Sequence, residues 1–230
     1  MMRGKIIGAV TIGQAPRVDI MPELMEILGP EIEVKEAGAL DGLSKEEIAT
    51  FAPKDGDYVL VTRLADGSSV KVAEQHITPR ITEKIQGFFE QGIEVVALLC
   101  TGEFQLTGTG LLVRPQPILY NVTQAVADGL KIGVVSPAAD QIPQSQKRWR
   151  EVGSEQVMVA ASPYGDIANL DKAADVLKGE NVQLVVLDCM GYTLAMQERV
   201  RNITGVPVIL ARGIFARVLK ELIGRREVGL

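Results

Sequence analysis

VQLVVLDCMGYT, residues 182–193, is an apolar, β-branched run that stops on an acidic residue, a cysteine and a glycine. Four consecutive aliphatic residues with turn chemistry behind them read as a buried strand, and the cysteine marks where it ends. The pattern occurs once more, in IEVVALLCTGEF, residues 93–104, which ends on the only other cysteine of the chain. Cys100 and Cys189 are 189 − 100 = 89 positions apart.

Outward from these runs the chain repeats itself. KIGVVSP (131–137) matches KIIGAVTIG (5–13) in kind: a lysine, an apolar strand, a hydroxyl residue at its end, then a loop. After the first of these strands, GQAPR is a loop. A short helix follows, with Asp19 as cap, Pro22 in the first turn and Leu24, Ile27 and Leu28 on one face. EIEVKEA is a second strand, and Ser44 with Glu47 forms a capping box. DYVLVTRLADGSSVKVAE (57–74) reads as a hairpin inserted into the alternation, and a helix is expected from about Thr78 to Gln91. A helix closed by Gly129 leads to the second round: a helix through Trp149, the strand EQVMVAASP, a helix from Asp166 to Lys178, the strand ending at Cys189, a helix, the strand VPVILA and a final amphipathic helix. Strands alternating with helices predict an α/β protein with a mainly parallel sheet in each of two similar lobes flanked by helices. The expected division is residues 1–115 plus 211–230 for the first lobe and 116–210 for the second. Each lobe is expected to bury its own core, so that a cut near residues 112–118 leaves two compact fragments.

In open parallel sheets the loops at the carboxyl ends of strands surround the ligand crevice. Two facing lobes would therefore put both thiols across one cleft. A lone cysteine at a strand end is usually a small buried hydrophobe; the symmetric second one turns the reading towards chemistry. A free thiol is only a few per cent ionised at pH 7. CMGYT supplies the expected activation, backbone N–H groups where the next helix begins, with Gly191 allowing close approach.

Composition excludes several alternatives. Of 230 residues, 47% are hydrophobic, which suits a globular core rather than disorder. Net charge is −5 and aromatics are 4%, so neither phosphate neutralisation nor base stacking is provided for, and nucleic acid is not an expected partner. No run approaches the roughly 18 apolar residues of a membrane span, and a cytoplasmic location is expected. With His76 the only histidine and no Cys-x-x-Cys spacing, no metal site is expected. The glycines at 108 and 110 lack the third of a dinucleotide fingerprint, no Gly-Lys-Ser/Thr follows a glycine loop, and there is no Gly-x-Ser-x-Gly elbow. No cofactor is therefore expected.

A strand-ending cysteine in each of two α/β halves resembles the aspartate/glutamate/hydantoin racemase superfamily, with its maleate isomerases and arylmalonate decarboxylases. TIGQAP (11–16), the Ser44 capping-box helix, QKRW (146–149), and LDCMGY (187–192) followed by VPVIL resemble the AroM family more closely, over nearly the full length. The superfamily resemblance implies Cys100 and Cys189 as an acid/base pair. One thiolate would take a proton from the carbon next to a carboxylate, and a thiol on the opposite face would return one. It also implies carboxylate ligands at Thr101 and Gly102. Thr11, Gly13, Gln14 and Arg17 lie in the first strand-end loop, Ser136 is the second-lobe counterpart of Thr11, and Gly191 and Tyr192 follow Cys189 as further binding groups. For the hydroxyls, ordinary loop and capping chemistry is an equal alternative. Glu103 and Asp188, beside the cysteines, could orient a donor or cap a helix. The chain departs from the superfamily in lacking an Asp-Ser pair in the first loop and Thr-His after the second cysteine, where Met190 and Gly191 stand. The resulting expectation is a cofactor-independent isomerase, racemase or decarboxylase of a small carboxylate metabolite, with a homodimer as a possible assembly. The alternative is a non-catalytic metabolite-binding or regulatory protein using the same cleft, which the AroM resemblance would connect with aromatic biosynthesis.

Overall fold

The structure, a computed structural model, describes residues 5–106, 108–152 and 155–223. The ends of the expected first lobe, 1–4 and 224–230, lie outside the described residues. In the first half, β1 (Lys5–Thr11), β2 (Ile32–Gly38), β5 (Val95–Leu98) and β6 (Leu111–Val113) form a parallel sheet in the order β2-β1-β5-β6. In the second half, β7 (Ile132–Ser136), β8 (Gln156–Ala160), β9 (Leu184–Leu187) and β10 (Val208–Leu210) form another, in the order β10-β9-β7-β8. Replacing β1, β2, β5 and β6 by β7, β8, β9 and β10 turns one order into the other, so the repeat read from the sequence is a repeat of topology. β3 (Val59–Arg63) and β4 (Ser69–Ala73) pair antiparallel as the inserted hairpin.

The period is not constant. The cysteines are 89 positions apart, but Thr11 and Ser136, at the ends of β1 and β7, are 136 − 11 = 125 apart. Much of the difference lies after the second strand of each lobe. Residues 39–73 there carry α2 (Lys45–Ala49) and the hairpin, against the short link 161–166 in the second lobe.

Side-chain alternation along the strands sorts the core into three layers. Val10, Val96 and Leu98 face an outer cluster of the first lobe with Ile77, Ile81 and Ile85 of α3 (Glu74–Glu90). Val135, Val185 and Leu187 face an outer cluster of the second with Leu170 and Leu177 of α6 (Ile167–Gly179). The opposite faces, Ile7 and Ala9 on one sheet and Val134 and Val186 on the other, belong to a single central cluster. It is completed by Leu24 and Leu28 of α1 (Met21–Leu28), Leu119 of α4 (Pro115–Val126) and Phe215 and Leu219 of α8 (Ala211–Ile223). Each lobe thus buries a cluster of its own, as expected, but the largest cluster belongs to both.

Gly8 and Gly133, each three residues before the closing hydroxyl residue, show the repeat in packing. A Cβ at Gly8 would lie 2.6 Å from the Phe88 ring, and one at Gly133 2.8 Å from Leu177. Both glycines let an outer-layer helix, α3 or α6, settle directly on the strand.

Local departures have local causes. Asp19 does not cap α1, whose N-cap is Ile20, because its carboxylate is taken by the Arg17 guanidinium. α3 begins a turn before the expected Thr78, with Pro79 inside it. The Ser44 capping box forms as read. The remaining helices are α5 (Ile142–Trp149) and α7 (Leu194–Thr204). No helix among the described residues is long and apolar enough to cross a membrane.

Candidate functional site

Each cysteine stands two residues past the end of its strand, β5 or β9, and each accepts a hydrogen bond at 3.3 Å from a glycine N–H two residues on, Gly102 for Cys100 and Gly191 for Cys189. Equivalent strands thus deliver equivalent thiols with the same local geometry. Both line one narrow cleft between the lobes, with free space of about 30 Å³, together with Thr101, Gly102, Ser136 and Asp188.

Burial is the dominant influence on both sulfurs. It pushes Cys100 up to about 12 and Cys189 up to about 11, outweighing the glycine N–H groups and the nearby Arg17, which favour the thiolate. The expected activation by a helix terminus is corrected here. α7 starts at Leu194, its first turn is capped by the Thr193 hydroxyl, and the Leu194 N–H donates to Glu23 of the first lobe. Instead, buried Arg212 at the start of α8 donates to the carbonyls of Met190 and Gly191 and fixes the loop that carries Cys189.

One wall of the cleft is built where α5 meets the hairpin. The Gln144 side-chain amide pairs with the Val59 backbone in both directions, N–H to carbonyl at 2.8 Å and carbonyl to N–H at 2.9 Å, as a neighbouring strand would. Gln141 donates to the same Val59 carbonyl at 2.9 Å. One turn on, Arg148 donates to the Tyr58 hydroxyl and to the Thr101 carbonyl, and its guanidinium lies over the rings of Tyr58 and Tyr120. Its Nη2 is 3.6 Å from Asp188 Oδ2, which also accepts the indole N–H of Trp149 at 2.9 Å. Asp188 is thus a buried carboxylate at the thiol rather than a helix cap.

The first-lobe loop after β1 also reaches the second lobe. Arg17 is buried, forked onto Asp19 and donating to Thr11 Oγ1 at 2.8 Å and to the Tyr164 hydroxyl of the second lobe at 3.1 Å. Tyr164 in turn covers Gly191, where a Cβ would lie 2.6 Å from its hydroxyl. Gly13 is a close-approach position: a Cβ there would meet the Arg63 carbonyl at 2.3 Å.

Of the residues read from the sequence, Cys100, Thr101, Gly102, Ser136 and Cys189 come together on the cleft. Thr11, Arg17 and Gly191 stand behind its edge through Tyr164 and the Cys189 sulfur. Gln14 and Tyr192 are spent within the fold. The Gln14 amide donates to the Leu40 carbonyl and accepts from the Ala65 N–H, tying the hairpin down, and the Tyr192 hydroxyl donates to the Ala161 carbonyl. His76 stacks on Phe51. Tyr58, Gln141, Gln144, Arg148, Tyr164 and Arg212 are not singled out by sequence reasoning. Only QKRW carried a signal for any of them, as a resemblance without a role.

The family model described as AroM protein matches residues 7–223. The chain belongs to the AroM family. No curated protein matches it in sequence. Among solved structures, allantoin racemase from Klebsiella pneumoniae is similar to this AroM chain with a TM-score of 0.64 at 13% identity, over 95% of this chain and 87% of that one. A liganded double mutant of arylmalonate decarboxylase gives 0.63 at 15%, over 96% and 93%. The maleate isomerase Iso from Pseudomonas putida S16 gives 0.60 at 13%, over 95% and 93%. The AroM protein therefore has the two-lobed α/β fold of these racemases, isomerases and decarboxylases.

Proposed function

We propose that this AroM-family protein moves a proton at the carbon next to a carboxylate of a small metabolite, as an isomerase, racemase or decarboxylase that needs no cofactor, with Cys100 and Cys189 as the proton-carrying groups. The observation that carries this reading is the pair of equivalent thiols, each two residues past its strand and bonded to its own glycine N–H, on one cleft. Proteins of the same fold named as allantoin racemase, maleate isomerase and arylmalonate decarboxylase support the general kind of reaction.

The state of the thiols favours donation. With Cys189 at about 11, only about one molecule in 10⁴ holds a thiolate there at pH 7. A reaction that opens with loss of CO₂ leaves the bonding pair on carbon, takes the proton of one S–H, and lets water restore it. One that opens with abstraction needs a thiolate first, and Arg17 is the cation that favours one at both sulfurs. A metabolite sensor without turnover is the second reading. It is favoured by the same protonated thiols and by the many side chains around the cleft already paired within the fold.

Solvent-hydrogen exchange tests catalysis without prior choice of reaction. Amino acids, hydroxy acids, maleate and malonates incubated in D₂O with the protein are followed by NMR. A substrate gains deuterium, isomerises or loses CO₂, and Cys189→Ser abolishes the signal. Inversion requires both cysteines, whereas decarboxylation depends on one. Unchanged activity in Cys189→Ser removes that thiol from the mechanism, and a panel that binds without exchange supports the sensor.

A further inference from the structure

Two acceptors on the cleft have no partner. Asp188 is 3% exposed; its Oδ2 holds the Trp149 N–H, and its Oδ1 is buried with no hydrogen bond. Gln141 is fixed by its Nε2 on the Val59 carbonyl, which leaves its Oε1 as a buried acceptor that likewise accepts nothing. Both residues line the cleft that holds the thiols. Buried acceptors without donors are rare in folded proteins, and those on a ligand cleft mark where a ligand donor belongs.

Charge narrows the donor. Arg148 lies 3.6 Å from Asp188 Oδ2 and already balances its charge. An ammonium brought to Oδ1 would add a second cation beside a buried guanidinium, and a second carboxylate would face Asp188 directly. A neutral hydroxyl donates its one proton to Asp188 Oδ1 and adds no charge, leaving Gln141 Oε1 to a second donor or to water.

We propose that Asp188 is the specificity residue for a hydroxyl group, accepting its proton at Oδ1, so that the cleft takes hydroxy-carboxylates in preference to the corresponding amino acids or acids without the hydroxyl. This rests on the reading of the cleft as the ligand site, and it does not require turnover. Sequence reasoning saw Asp188 only as a neighbour of the thiol, because the partner that uses up Oδ2 comes from α5, 39 residues away.

Trp149 is the only tryptophan of the chain and its indole N–H is bonded to Asp188, so its fluorescence reports the subsite directly. The wild-type protein is titrated with matched triplets: 3-phenyllactate, 3-phenylpropionate and phenylalanine; malate, succinate and aspartate; lactate, propionate and alanine. In at least one triplet the hydroxy acid binds roughly tenfold or more tighter than both partners, because the partners leave Asp188 Oδ1 unpaired or add charge. Asp188→Asn keeps an acceptor for Trp149 and turns the free oxygen into an N–H donor, so the preference collapses or moves towards the acid without the hydroxyl. Equal affinities within every triplet, tighter binding of the amino acids, or no response of Trp149 to any hydroxy acid overturns the proposal, and the wild-type titration decides this even if Asp188→Asn fails to fold. Hydroxy-acid preference without deuterium exchange keeps the subsite and removes catalysis. Exchange with equal affinities does the reverse.

Discussion

Cys100 and Cys189 are alike in placement and unlike in surroundings: burial raises both, but Asp188 adjoins only one and Arg148 acts on the other. Alkylation by iodoacetamide in the folded, unliganded protein is therefore expected to be slow at pH 7 and to rise through pH 9 to 11 without the plateau of a free thiol near 8.5. A profile that levels off by pH 8 would show that the thiols are activated at rest. The same shift is linked to stability. A thiol whose folded pKa lies above its unfolded value stabilises the fold below about pH 9 and loses that contribution as pH rises towards 11 and 12. Replacing both cysteines by alanine should flatten this part of the alkaline unfolding curve. That the thiols and Ser136 meet on one cleft was legible in the sequence because each closes or follows a strand, whereas Thr101 and Gly102 were expected there only from the superfamily resemblance. Arg148 and Tyr164 were not, since what matters in them is a contact made across the two lobes.

At the scale of elements, the hairpin is held by side chains rather than by a sheet. Gln144 supplies two bonds to Val59 and Gln14 one to Ala65. Gln144→Ala should cost about 1–2 kcal/mol and raise amide exchange at Val59 more than in β1 or β9. Equal change throughout would mean that the hairpin opens only with the whole protein. Ser44→Ala removes the capping box of a helix of only five residues and should cost about 1 kcal/mol in urea unfolding. The strands with long apolar runs, the hairpin and the capping box could be read directly from residue order. β6 was missed because three residues pairing with β5 leave no periodicity to detect. Asp19 was misread as a cap because its partner, Arg17, sits on the preceding loop and competes for the same oxygens.

For the molecule as a whole, the central cluster makes the lobes one cooperative unit. Phe215, fully buried at the start of α8, belongs to a cluster that takes in inner faces of both sheets. Phe215→Ala should cost about 3–5 kcal/mol and leave a single transition, with Trp149 fluorescence and far-UV circular dichroism coincident. Separate transitions would restore two independent cores. For the same reason a chain cut between residues 127 and 131 should give fragments that fold together and not alone. Two lobes were legible from the repeated strand pattern, but their fusion was not, because an apolar strand buried on both faces does not say whose core each face joins.

The insertion of 39–73 into only one of two otherwise matching lobes breaks their likeness where the thiols meet. Two identical halves around an axis would give each thiol the same neighbours. Here the hairpin meets α5 and brings Tyr58, Gln141 and Gln144 to the cleft, and among the described residues the second lobe has no such hairpin. Twin thiols thereby look out on unlike ground, a symmetric motif set in an asymmetric frame.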